Sequence, residues 1–206
     1  MFKSSIPSFG KEDIDEAQWL TAILLELQIL THRPLQLHQN IIDLFCVGWE
    51  GDASHRSRKW PVLTVEYANR GTLDDYFDYD TSPSFSPKNA ICCDVRNGLQ
   101  ALHDCNVVHE DLKFPNVLVF SSNDERPVIA KLSGFSSALL DTRAMTSLSF
   151  ASRPWNAPEW DTASPRNLLI KSDVYTFDLL TWRVMINGLN SFEDKVLFPE
   201  LLICHV

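Results

Sequence analysis

The sequence predicts an α+β fold, on three observations. A helix-period segment at 12–31 is followed by two β-branched and aromatic runs at 40–50 and 61–68. A polar loop at 109–116 lies between two strand patterns. A segment at 172–187, apolar on nearly every side, reads as a buried helix. The 206 residues are enough for one sizeable core or two small lobes.

In EDIDEAQWLTAILLELQILT (12–31), Ile14, Ala17, Leu20, Leu24 and Leu27 recur at helical spacing. Glu12, Asp13 and Glu16 suit the positive end of the helix dipole, and Pro34 ends the helix. NIIDLFCVGWE and PVLTVEYA form a hairpin around the polar GDASHRSRK. The basic residues His55, Arg56, Arg58 and Lys59 read as its solvated tip, with a partner contact as the alternative. Asn69-Arg70-Gly71 turns the chain, TLDDYF opens a short helix, and TSPSFSP (81–87) is a Ser/Pro loop. Ala90, Ile91, Val95, Leu99 and Leu102 mark one face of a helix ending near His103. VVHEDLKFPNVLVF reads as strand, irregular loop and strand, and VIAKLSGF as a further strand. A Ser/Thr-rich stretch of low regularity then runs to about Pro158.

The net charge of -9 and pI near 5.0 exclude a general nucleic-acid binder, which needs a basic footprint. They leave room for a nucleotide site, where one local lysine and a metal outweigh distant acids. Five cysteines, odd in number and without paired short spacings, point to reduced thiols in an intracellular, cytoplasmic setting. No apolar run approaches the roughly 18 residues of a membrane span. The N-terminal MFKSSIPSFGKED lacks the pattern of a secretory signal.

The loop His109-Glu110-Asp111-Leu112-Lys113-Phe114-Pro115-Asn116 places an acid, a base and an amide within eight residues. Asp111 can orient a hydroxyl, Lys113 can meet a phosphate and Asn116 can meet a metal. That division of labour is what phosphoryl transfer needs.

The neighbouring motifs extend this loop into a resemblance. LLELQIL, HQNIIDL, LTVEYANRGTLDDY, VVHEDLKFPNVLV, AKLSGF, WNAPEW and KSDVYTFDLL resemble, in order, the landmarks of the protein kinase family. The resemblance implies a bilobal fold, with residues 1–66 as a partial N-terminal lobe and 67–206 as a mostly helical C-terminal lobe. It makes Glu26 the partner of an ATP-binding lysine, with Lys3 the candidate for that lysine and a plain surface lysine the alternative. Val65 becomes the gatekeeper, the backbones of Glu66 and Ala68 face adenine, and Leu118 lies beneath it. Asp111 and Lys113 take the catalytic places, in the pattern of Ser/Thr kinases, and Asn116 a magnesium place. Leu30, Leu44, His109 and Phe135 fall on the hydrophobic spine. Asp173 braces the catalytic loop, and Glu159 closes the activation segment.

The departures are as informative. Gly134-Phe135-Ser136 stands where the family has its metal-binding aspartate, and glycine supplies no ligand. Losing about 3–5 kcal/mol of metal stabilisation slows transfer by roughly 10²–10⁴-fold. Magnesium binding is therefore expected to be weakened, because a lone amide is a poor substitute for a carboxylate. Glu110 replaces the arginine that pairs with a phosphorylated activation segment, so Thr146, Ser147 and Ser149 are not expected to switch the chain by that route. The glycine-rich loop is absent, the last helices of the large lobe are expected to be missing, and Glu159 then loses its arginine partner. Three readings follow. The favoured one is a catalytically impaired kinase-like domain that binds ATP and a protein partner. The others are an active kinase passing the ATP γ-phosphate to a protein Ser/Thr hydroxyl, and a fragment without a stable fold. No reading calls for nucleic acid or membrane.

Overall fold

The computed structural model describes residues 2–3, 16–51, 59–80, 82–122, 126–140 and 166–189. In chain order these form β1 (Phe2–Lys3), α1 (Glu16–Thr31), α2 (Arg33–Gln36), β2 (Leu44–Gly51) and β3 (Lys59–Val65). There follow α3 (Leu73–Tyr79), α4 (Phe85–Asp104), β4 (Val107–Val108), β5 (Val117–Ser121), β6 (Val128–Leu132), β7 (Leu139–Leu140) and α5 (Arg166–Met185). Short 3-10 turns cover Phe114–Asn116 and Phe135–Ser137.

The first sheet is antiparallel in the order β1-β3-β2. Lys3 sits opposite Leu63 and Phe2 opposite Thr64, which places β1 beside the strand that leads to Val65. β2 is an edge strand of this sheet, and Phe45, Val47 and Trp49 stand exposed along it. α1 is fastened to this sheet by Trp19, whose ring meets Trp60 edge-on at 4.8 Å. β5 pairs with β6 and β4 with β7 in two small ladders beside the helical part.

The sequence places the buried face of α1 on Ala17, Leu20, Leu24 and Leu27; the structure turns the helix otherwise. Ile23, Glu26, Ile29 and Leu30 are buried, while Leu24 is 62% exposed. The segment carries apolar residues around most of its circumference, so periodicity alone leaves its phase open, and packing on Phe135 decides it. Ile14 lies outside the described residues. The expected loop at 81–87 is also corrected: α4 begins at Phe85 behind Ser84, and Pro87 lies in its first turn. There the missing proline N–H costs nothing, since first-turn amides have no partner within the helix. Pro34 behaves likewise, standing in the first turn of α2 just after α1 has ended.

One core joins these layers, with Phe114, Phe135, Ile29, Leu30 and Leu132 fully buried. Burial of each such side chain is worth about 1.5–3 kcal/mol. Residues 40–42 run through the join. The Asn40 carbonyl accepts from the Leu132 amide at 2.8 Å, the Asn40 side-chain amide donates to the Ala130 carbonyl at 3.0 Å, and Ile42 donates to the Leu132 carbonyl at 3.0 Å. A Cβ on Gly98 of α4 would come within 2.9 Å of the Asn40 carbonyl oxygen, so only glycine lets the helix approach this closely. Among the described residues no helix is long and apolar enough to cross a membrane.

Candidate functional site

The site is assembled at the C-terminal end of β4, where the chain passes into the irregular loop 109–116. This loop rests on one buried carboxylate. Asp173 of α5, 0% exposed, accepts from the His109 amide at 2.9 Å and the Glu110 amide at 3.0 Å, and meets His103 Nε2 at 2.8 Å. Three polar partners hold a charge that would otherwise be costly to bury. They also fix the backbone of Glu110 in the left-handed region, at φ 67.

His109 is fully buried, and desolvation holds its imidazole below its ordinary pKa, so it is neutral. Its Nδ1 accepts from the Asp111 amide at 3.4 Å, which leaves Nε2 as the N–H that donates to the Ser133 carbonyl at 3.2 Å. The ring lies 5.2 Å from that of Phe135, and Phe135 packs with Leu30 in the core. Leu44, half-buried, packs against the same cluster.

Above this floor, the Asp111 carboxylate is 2.8 Å from Lys113 Nζ and accepts from Asn116 Nδ2 at 2.9 Å. Asn116 Nδ2 also donates to the Asp111 carbonyl at 2.7 Å. Gly134 lies directly against Asn116, with φ 78 and ψ 49, and caps the turn that carries Phe135.

A cavity of about 140 Å³ opens beside these groups. Glu26, Val65, Glu66, Ala68, Asn116 and Leu118, six of the residues singled out from the sequence, all line it. Its apolar walls suit a flat aromatic ring, and polar groups edge it. In the strand-to-helix crossing beside it, the Glu66 amide donates to the Asp43 carbonyl at 3.0 Å and the Ala68 carbonyl accepts from Gly71 at 3.1 Å. Glu26 is 5% exposed on the buried face of α1. Glu159 and the three hydroxyls at 146, 147 and 149 lie outside the described residues.

Two supporting residues escape the sequence reading. Lys131 of β6 ion-pairs with Glu66 and, at 2.9 Å, with Asp43 Oδ2, and so ties the crossing segment to the strand before Gly134. Burial pushes the Glu66 carboxyl up against the pull of Lys131; burial opposes the Lys131 ammonium too, but its hydrogen bonds to Glu66 and Asp43 prevail and its pKa is raised. Arg183 of α5 stacks 3.9 Å over the Phe114 ring and bonds Asp74 at 2.9 Å, which supports the loop from the side. The burial alternation of β6 singles out Lys131 as half-buried, but nothing local names its partner 65 residues away.

The family model for the protein kinase domain matches residues 6–197. The chain belongs to the protein kinase family. Within it, this kinase domain is 26% identical over 166 residues to the probable serine/threonine-protein kinase roco11 of Dictyostelium discoideum, covering 80% of this chain and 10% of that protein. It is 31% identical over 124 residues to the probable serine/threonine-protein kinase gdt9 of the same organism, over 56% of this chain and 8% of that protein. Against the serine/threonine/tyrosine-protein kinase HT1 of Arabidopsis thaliana the identity is 30% over 132 residues, 62% of this chain and 32% of that protein. The matched stretch is thus a third or less of each of these relatives.

Kinases use magnesium with ATP, and the residues here do not fit the metal. Gly134 offers no oxygen from a side chain, so the amide oxygen of Asn116 faces that place with no carboxylate beside it. Among the described residues no group of three or more His, Cys, Asp or Glu gathers to hold a metal.

Proposed function

We propose that this kinase domain is catalytically impaired and acts by binding, with its cleft taking an adenine nucleotide. The observation that carries the reading is the packing of Gly134 on Asn116, which leaves the metal place without a carboxylate. The cavity lined by Val65, Glu66, Ala68 and Leu118 is the place for the adenine, with the backbones of Glu66 and Ala68 as its expected partners. Lys3, on the strand beside β3, is the candidate lysine for the ATP phosphates, as the family resemblance implies. The protein that this domain engages is then a binding partner.

Active Ser/Thr transfer is the second reading. Asp111 with Lys113 two residues on favours it, since both catalytic places are filled and lie 2.8 Å apart. A thermal melt with ATP, with and without magnesium, tests the first reading, because a ligand of the folded state must raise the melting temperature. ATP stabilisation that is indifferent to magnesium is expected. Transfer of labelled phosphate to protein that disappears in Asp111→Asn would establish the second reading and overturn the first.

A further inference from the structure

Asn116 does more than stand at an impaired metal place. A carbonyl only accepts hydrogen bonds, so the 2.7 Å contact to the Asp111 carbonyl fixes which end of the amide is nitrogen. The oxygen end is thereby aimed at residue 134. A Cβ there would lie 2.4 Å from Asn116 Oδ1 and 2.6 Å from its Cγ, closer than real Cβ contacts. The side chain is not a loose one that swings aside. Its nitrogen donates twice to Asp111, and the main chain that carries it is held as well: the Asn116 main-chain carbonyl accepts from the Ser133 amide at 2.9 Å and the Ser133 hydroxyl at 3.1 Å. The Asn116 main-chain amide donates to the Lys113 carbonyl at 2.9 Å. Gly134 is in turn left-handed, a conformation that any side chain strains.

We infer that Gly134 and Asn116 are an interlocked pair that sets the site's ligand as an adenine nucleotide without a divalent cation. The asparagine fills the room of a side chain at 134 and uses that position to clasp Asp111. Glycine at 134 is then a requirement of the packing and more than a lost ligand. Returning an aspartate to 134 alone does not rebuild a magnesium place; it drives Asn116 off Asp111 and loosens the loop. The ligand half of this inference rests on the nucleotide reading above, whereas the interlock rests on packing alone.

The test is a double-mutant cycle on the whole chain: wild type, Gly134→Ala, Asn116→Ala and both together. Melting temperature is read on each, and ATP affinity is measured in EDTA and in magnesium. Gly134→Ala is expected to lower the melting temperature by roughly 5–15 °C, from left-handed strain plus overpacking. The double variant should melt above Gly134→Ala, because the room has been returned. If Gly134→Ala is not recovered folded, recovery of the folded double variant is the expected result. Additive losses, or failure of both variants to fold, overturn the interlock. For the ligand, the ATP dissociation constant of wild type should differ by less than about twofold between EDTA and magnesium, and a tenfold tightening, about 1.4 kcal/mol, overturns the cation-free assignment. No ATP response in wild type removes the nucleotide reading and the ligand half with it, while the melts still decide the interlock.

Discussion

The floor and the rim of the loop at 109–116 are built from the same few residues and differ in what they hold. Below, Asp173 is closed on all sides by the amides of His109 and Glu110 and by His103. Above, Asp111, Lys113 and Asn116 satisfy one another around a glycine where a metal ligand would stand. The floor holds the loop's shape; the rim would face a substrate. A buried charge must be paired or the loop does not form, whereas a rim group that loses its metal can turn to its neighbours. On the binding reading proposed above, the fold keeps its catalytic frame while the chemistry at its edge is rearranged.

The comparison breaks most sharply at the floor. Asp173→Ala leaves two buried amides without their acceptor and should cost about 3–5 kcal/mol, read as a fall in the urea midpoint. A loss under about 1 kcal/mol would show that the floor is no more tightly held than the rim. Lys131→Met, which strands Glu66 beside the crossing segment, should cost about 1–3 kcal/mol. Adding Glu66→Gln should recover much of that, and no recovery would mean that the lysine acts through packing alone.

His109 gives the comparison a pH axis. Its folded pKa is held below the ordinary 6.5, so its contribution is complete above that value. It is lost as pH falls from 6.5 through the lowered folded pKa, because the unfolded chain takes up the proton first, with a slope of at most about 1.4 kcal/mol per pH unit. Urea midpoints between pH 7.5 and 5 (about the range where histidine titrates) should show this slope in wild type and a flatter one in His109→Phe. The smallest effect belongs to the rim. Lys113→Ala removes an ion pair whose lysine is 28% exposed and should cost less than about 1 kcal/mol of stability. A larger loss would mean that the rim is part of the frame.

What was legible in the sequence follows the same divide. Short, ordered motifs reveal the loop, the position of Asp173 and the departure at Gly134, because spacing along the chain carries them. The clash that makes Gly134 obligatory is not local: Asn116 stands 18 residues earlier, and only folding puts its oxygen on that spot. The phase of α1 is hidden for another reason. With Leu20, Ile23, Leu24, Leu25 and Leu27 in close succession, several faces are apolar, and the choice of Ile23 over Leu24 belongs to the surface it meets. At α4, prolines read as loop markers where one of them opens a helix.

The exposed row on β2 has a practical consequence. Phe45 and Trp49, each 68% exposed, and the accessible Cys46 lie on a strand whose outer edge no other described strand covers. Such an edge is a seam along which chains stick to one another as concentration rises. Purification should therefore keep the protein dilute and reduced, and Val47→Lys, in the middle of the row, is the first substitution to try for a better-behaved sample.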